Sequence, residues 1–169
     1  MATLSAASTE NKNLHPCYFS SKRARCFRKT CYNILMAKRN FGKIIGPVNP
    51  YLKPHEWAMV NILLENGYDI EFIPESRVKG DHSADIWIKG LGIYEMKSPK
   101  SDSSDMIRNT LRKAKRQSEN IIIGLARTSR PEAKCIHEAE KWFTGHDSVK
   151  NIWIIGRTKK ITKITSKKS

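Results

Sequence analysis

From residue 54 onward, apolar and polar positions along the chain repeat with two different periods, and the periods assign the elements. Trp57, Val60, Leu63 and Leu64 recur at helical spacing, with Pro54 suited to a first turn and Gly67 to a stop. That predicts a helix over Pro54 to Glu65. Asp69 to Pro74 alternates with period two, as a short strand does. Glu75 to His82 is rich in turn-formers. Ala84 to Ile88 and Gly92 to Lys97 then read as two strands joined by the three-residue hairpin loop Lys89-Gly90-Leu91. Ser101 to Ser104 offer N-caps for a helix to about Ser118, with Ile107, Leu111, Ala114 and Ser118 facing inward. Asn120 to Ala126 is nearly all apolar, as in a strand covered on both faces. A helix from Pro131 to Phe143 and a strand from Asn151 to Gly156 complete the series. The order α-β-β-β-α-β-α-β predicts an α/β fold, a mixed central sheet flanked by helices.

Upstream the pattern changes. Gly46-Pro47-Val48-Asn49-Pro50 punctuates the chain, and residues 1–50 before that break hold nine Lys/Arg against the single acid Glu10. The expected organisation is a basic arm over 1–50 with a short helix around Cys31 to Arg39, a domain over 51–156, and a basic tail over 157–169. The net charge of +15 and pI near 9.9 point to a polyanionic partner, nucleic acid first. No apolar run is long enough to span a bilayer, and the opening MATLSAASTENKN carries no apolar leader core, so the expected site of action is the cytoplasm. Four cysteines lack any C-x-x-C pair. His15, Cys17, Cys26 and Cys31 supply four potential Zn²⁺ ligands within the arm, but reduced, unrelated cysteines are the plainer reading of that spacing.

The hairpin carries the chemistry. Side chains alternate faces, so Asp85, Trp87, Ile93, Glu95 and Lys97 share one face, and Ile86, Ile88, Tyr94 and Met96 the other. A three-residue loop sets Ile88 against Gly92 and hence Asp85 against Glu95, with Cβ atoms about 4.5–5.5 Å apart. Two carboxylates that close repel unless a cation lies between them, and a hard divalent ion such as Mg²⁺ or Mn²⁺ suits oxygen ligands. Lys97, on the same face, can orient an attacking water or stabilise charge on a phosphate. A surface hairpin with one Glu–Lys pair would look similar, but the segments around these charges are apolar, and unpaired charge in such a setting is costly.

The stretch Asp85-Ile86-Trp87-Ile88-Lys89-Gly90-Leu91-Gly92-Ile93-Tyr94-Glu95-Met96-Lys97 resembles the D-x(n)-E-x-K signature of the PD-(D/E)XK nuclease superfamily. The longer runs Gly80 to Ile86, Tyr94 to Lys100 and Lys115 to Ile123 are similar to the tRNase toxin domain at the C-terminus of CdiA contact-dependent inhibition proteins. That resemblance covers roughly residues 54–156. It implies a metal-dependent endonuclease with catalytic Asp85, Glu95 and Lys97. A first-helix glutamate often adds to such metal sites, and Glu56 matches it on the inward stripe; a helix-capping role competes. By the same resemblance Gln117 positions substrate or water, unless it simply bonds backbone at a helix end. His55 is expected to be an ordinary exposed histidine.

Around this set, Ser98 and Ser83 flank the motif as possible phosphate contacts, and Lys100 follows it. Arg108, Arg112, Lys115 and Arg116 form one basic stripe on the second core helix, a track for phosphates. Trp142 and Trp153 are read as core residues rather than base-stacking ones. The leading expectation is an RNase of the tRNA-cleaving toxin type. A DNA endonuclease of restriction or resolvase type would use the same site, and nothing in the sequence reads a 2′-hydroxyl. A non-catalytic basic binding protein would not need the intact carboxylate–lysine set. A toxin requires self-protection, and a basic surface anticipates an acidic immunity protein. CdiA domains end very long secreted proteins, while this chain opens on its own Met; the expectation is a standalone or mobile-element relative, or an orphan toxin module.

Overall fold

The computed structural model describes residues 40–74 and 83–166. The zinc candidates His15, Cys17, Cys26 and Cys31 and the turn-rich loop lie outside these residues. The described chain runs β1 (Ile44–Ile45), α1 (Pro54–Glu65), β2 (Ile70–Phe72), β3 (Ile86–Ile88), β4 (Gly92–Lys97), α2 (Met106–Ala114), β5 (Asn120–Gly124), α3 (Glu132–Thr144), β6 (Asn151–Ile155) and β7 (Ile161–Thr165). All seven strands lie in one sheet in chain order. β1–β2, β4–β5 and β5–β6 pair in parallel, and β2–β3, β3–β4 and β6–β7 pair antiparallel. This is the mixed, helix-flanked sheet that the periodicity predicts.

Each parallel step is carried by a helix, and the helices divide between two faces. α1 packs Met59, Val60 and Leu63 on Ile70, Ile86, Ile88, Tyr94, Met96, Ile122 and Trp153. α2 and α3 cover the opposite face, where Ile107, Leu111, Cys135 and Ala139 meet Ile121, Ile123, Ile152 and Ile154. The uninterrupted apolar run of β5 follows from this, because alternate isoleucines feed separate cores. Trp142 and Trp153 are both core residues, and Cys135 is a buried free thiol. No described helix is long and apolar enough to cross a membrane.

The sheet extends into both segments assigned to the basic extensions. β1 is two residues long, too short for any periodicity to register. It is held from outside itself: the Ile70 N–H donates to the Lys43 carbonyl at 2.8 Å, and Asp69 Oδ1 accepts the Lys43 N–H at 2.9 Å. Gly42 is obligatory there, since a Cβ would lie 1.9 Å from the Tyr68 carbonyl oxygen. At the other edge, β7 hides behind its charge. Lys163 pairs directly with Trp153 and lays its ammonium over that indole, 4.2 Å from the ring centroid. A lysine stem with a cation–π contact covers aromatic surface as an apolar residue would, while reading as tail in the sequence.

The second core helix is shorter than its pattern suggests. It ends at Ala114, and the N–H groups of Gln117 and Ser118 both return to the Ala114 carbonyl. Ser118 then donates its hydroxyl to the Ile93 carbonyl at 2.9 Å and accepts the Asn120 N–H, turning the chain into β5. Lys115, Arg116 and Gln117 therefore stand on a turn, not on a helical stripe.

Candidate active site

The geometry of the site begins in the hairpin loop. Gly90 has φ of 78°, and the Leu91 N–H returns to the Ile88 carbonyl at 3.0 Å. The loop thus fixes the register Ile88 with Gly92, Trp87 with Ile93, and Ile86 with Tyr94. One step further along that register, Asp85 faces Glu95. At that point β3 leaves the ladder: Asp85 gives its own carbonyl to the Ile73 N–H at 3.1 Å. Its side chain takes the vacated place, Oδ2 accepting the Met96 N–H at 2.7 Å.

Glu95 is fully buried, with relative exposure 0%. It lies between β3 and β5, beside Ile121. Lys97, two residues on and one-third exposed, forms an ion pair with its Oε1. Apart from that ammonium, the two buried oxygens receive no hydrogen bond from a described N–H. Burial pushes the Glu95 carboxyl up to about 7, opposed by Lys97 and reinforced by the charge of Asp85. Burial also raises Asp85, opposed by the Met96 N–H and by Lys97. Two carboxyls this close share their protons and titrate as a coupled pair.

Among the described residues, no three His, Cys, Asp or Glu side chains stand together as a metal cluster. The donor set is a pair of carboxylates with one lysine. It fits Mg²⁺ or Mn²⁺, since a small hard cation is commonly held by one or two carboxylates with water and substrate phosphates completing its shell. A buried carboxylate that faces a second carboxylate and has the Lys97 ammonium as its one described N–H partner is the observation that recommends the fit.

Glu56 stands apart from that pair. It caps α1: Oε2 accepts the Lys53 N–H at 2.9 Å while the Glu56 N–H returns to the Lys53 carbonyl at 3.0 Å, and Oε1 is 3.8 Å from His55 Nε2. Its charge still reaches Asp85 and adds to the upward push on that group. Gln117 is not gathered with Glu95 and Lys97 either. It lines a groove of about 540 Å³ at the hairpin end, together with Trp87, Leu91, Gly92 and Ile93. The cations Lys100, Arg108, Arg112, Lys115 and Arg116 are all exposed, and Arg108 pairs with Asp105 at 2.9 Å. Ser83 donates to the Pro74 carbonyl at 3.5 Å.

Ser98 introduces a residue that the sequence reading passed over. Its carbonyl accepts from Arg127 Nη1 at 3.2 Å, and the same nitrogen lies 3.1 Å from His55 Nε2. Arg127 thus joins the end of β4, the start of α1 and the loop after β5, next to Lys97. Asp102 ties the loops after β4 and β5 together. Its carboxylate accepts the Thr128 hydroxyl at 2.6 Å and the Ser129 hydroxyl at 2.7 Å, which hold it below the usual carboxylate range. In the sequence Asp102 looks like a helix N-cap. A signal for Arg127 does exist, because it follows a fully apolar parallel strand, and the carboxyl ends of such strands are where sites form.

Residues 82–161, a little under half of the chain, match the family described as the Contact-dependent growth inhibition CdiA C-terminal domain. That span contains Asp85, Glu95, Lys97, Gln117 and Arg127. A solved structure, the CdiA-CT/CdiI toxin and immunity complex from Burkholderia pseudomallei, contains a chain that superposes with TM-score 0.53. The two share 19% identity over 74% of this chain and 100% of that one. The fold is common to both. No curated protein sequence matches.

Proposed function

We propose that this domain is a toxin-type nuclease that hydrolyses phosphodiester bonds with a hard divalent cation, and that its substrate is RNA, tRNA first. The observation that carries the reading is Glu95: a fully buried carboxylate, facing Asp85 and paired with Lys97. Nothing about folding requires such a group there, since an apolar residue would pack without desolvation cost. The match to the CdiA C-terminal domain and the likeness to a toxin–immunity complex support the toxin part. The resemblance of the motif stretches to CdiA tRNases supports the substrate.

Asp85 and Glu95 would hold Mg²⁺ or Mn²⁺, as the PD-(D/E)XK-like spacing implies. When bound, such an ion neutralises phosphate charge and makes a water a stronger nucleophile. Asp85 is suited to holding it because the Met96 N–H anchors one oxygen and so fixes the carboxylate against Glu95. Lys97 is one-third exposed, so its ammonium can leave Glu95 and turn toward the scissile phosphate, stabilising the charge that develops there. Lys100, Arg108 and Arg112 would carry flanking phosphates. The toxin would act in the cytoplasm of the cell it enters, and an acidic immunity protein would neutralise it by covering the basic surface.

The deciding experiment incubates the purified chain with total tRNA, plasmid and single-stranded DNA, each with Mg²⁺ and with EDTA. Cleavage of tRNA with Mg²⁺ only, lost in Asp85→Ala and Lys97→Ala by on the order of a hundredfold or more, is the expected result. Cleavage by Glu95→Ala equal to wild type would sink the assignment.

A further inference from the structure

The face that carries Glu95 and Lys97 also carries an apolar surface that neither core uses. Trp87 and Ile93 are cross-strand partners on β3 and β4. Neither belongs to the α1 cluster or to the α2–α3 cluster. Ile93 is 49% exposed and Leu91 45% exposed, and Trp87 is half-buried. The early end of α2 leaves them open, because Gln117 to Asn120 pass along the side of this surface rather than over it. The result is the groove of about 540 Å³ lined by Trp87, Leu91, Ile93 and Gln117.

We propose that this groove is a nucleobase subsite that stacks a base of a single-stranded or unpaired substrate segment beside the cleavage centre. The proposal rests on the nuclease reading above. Ile93 lies two residues before Glu95 on the same face, which along a strand is about 7 Å. A nucleotide next to the scissile phosphate would bring its base onto Trp87 and Ile93. An indole with one open face suits that use, since every base has a π-face and stacking on an aromatic is tolerant of sequence.

The polar rim differs in kind from the floor. Ser118 and Asn120 are engaged, Ser118 by the Ile93 carbonyl and Asn120 by the same carbonyl and by Asn151. Glu119 is paired with Lys150 at 2.8 Å. The Gln117 side chain has no hydrogen-bond partner among the described residues. Its amide is therefore available to a base edge, one donor and one acceptor side by side. Arg116, exposed on the same turn, is the cation proposed to meet the adjoining phosphate, while the Lys115 ammonium lies over the Trp142 ring, 5.9 Å from its centroid. On the far side, Glu71 pairs with Trp87 and is exposed, so a phosphate track across β2 is disfavoured.

The test measures binding, not cleavage. The full chain in EDTA is titrated against a fluorescent eight-nucleotide RNA, the same oligomer with a central abasic site, and its DNA counterpart, by anisotropy. Trp87→Ala and Ile93→Ser should each weaken binding to the intact oligomer about tenfold and leave the salt dependence unchanged. Trp87→Phe should stay within threefold of wild type. Arg116→Ala should instead lower the salt slope by about one. Affinities of the folded Trp87→Ala and Ile93→Ser proteins within twofold of wild type would overturn the proposal. So would a wild-type dimer that Ile93→Ser converts to monomer with RNA affinity intact, because the patch would then be a self-contact. Failure of Mg²⁺-dependent cleavage with stacking intact would count against the nuclease reading alone.

Discussion

Asp85 Oδ2 accepts the Met96 N–H at 2.7 Å, so one side-chain oxygen closes the β3–β4 ladder where backbone pairing stops. The group proposed to hold a cation is also the group that ends the strand pair. Asp85→Asn keeps an acceptor for Met96 and should fold with stability within about 0.5 kcal/mol of wild type while losing cleavage. Asp85→Ala leaves a part-buried N–H unpaired and should cost about 1–3 kcal/mol in urea unfolding as well. Equal stability of the two variants would show that the hydrogen bond does not contribute.

Glu95 makes stability depend on pH in a stated direction. Its carboxyl titrates near 7 when folded, against an ordinary value of 4.5. Between those values the folded chain holds a proton that the unfolded chain has released. Metal-free stability therefore falls as pH rises from about 4.5 to about 7, by up to on the order of 3 kcal/mol. Glu95→Gln removes the Glu95 share of that dependence, leaving the smaller one from Asp85, and should unfold at higher temperature than wild type at pH 8, with near equality at pH 4.5. Mg²⁺ should raise the melting temperature of wild type at pH 8 and leave that of Glu95→Gln unmoved. A wild-type melting temperature flat across this pH range would contradict the burial argument.

Glu56 separates a cap from a metal ligand. Its contact is with the Lys53 N–H at the start of α1, so Glu56→Ala should cost about 0.5–2 kcal/mol. Glu56→Gln preserves the capping acceptor and should keep cleavage within a few-fold. A loss beyond tenfold in a stably folded Glu56→Gln would return the side chain to the cation site.

Arg127 should act on substrate affinity. Nη1 is committed to Ser98 and His55, while Nε and Nη2 bond to no described residue. Arg127→Ala should raise KM more than it lowers kcat and reduce the salt slope of RNA binding by about one. A pure kcat loss with unchanged salt dependence would place Arg127 outside phosphate recognition.

The parts of this protein legible in its sequence are those set by local periodicity. The bounds of α1, the bounds of β4 and the opposition of Asp85 to Glu95 all follow from spacing and one glycine-containing loop, because strand parity is a local property. The edges of the sheet were not legible. β1 is held by bonds to Asp69 and Ile70, and β7 by its ladder with β6, by Ile161 and Ile164 on the two cores and by Lys163 over Trp153 and Tyr68, all partners distant in sequence. Gln117 continued a helical pattern on paper, but Ser118 bonded to a β4 carbonyl and ended the helix four residues early. Arg127 lies far from the hairpin in sequence and meets the end of β4 only because parallel strands bring their carboxyl ends together; Asp102, just past β4, finds Thr128 and Ser129 for the same reason. Local sequence therefore determined which carboxylates and lysine share a face. Tertiary structure decided how deeply Glu95 is buried, what surrounds it and which apolar side chains were left uncovered beside it, since burial depends on contacts between distant segments.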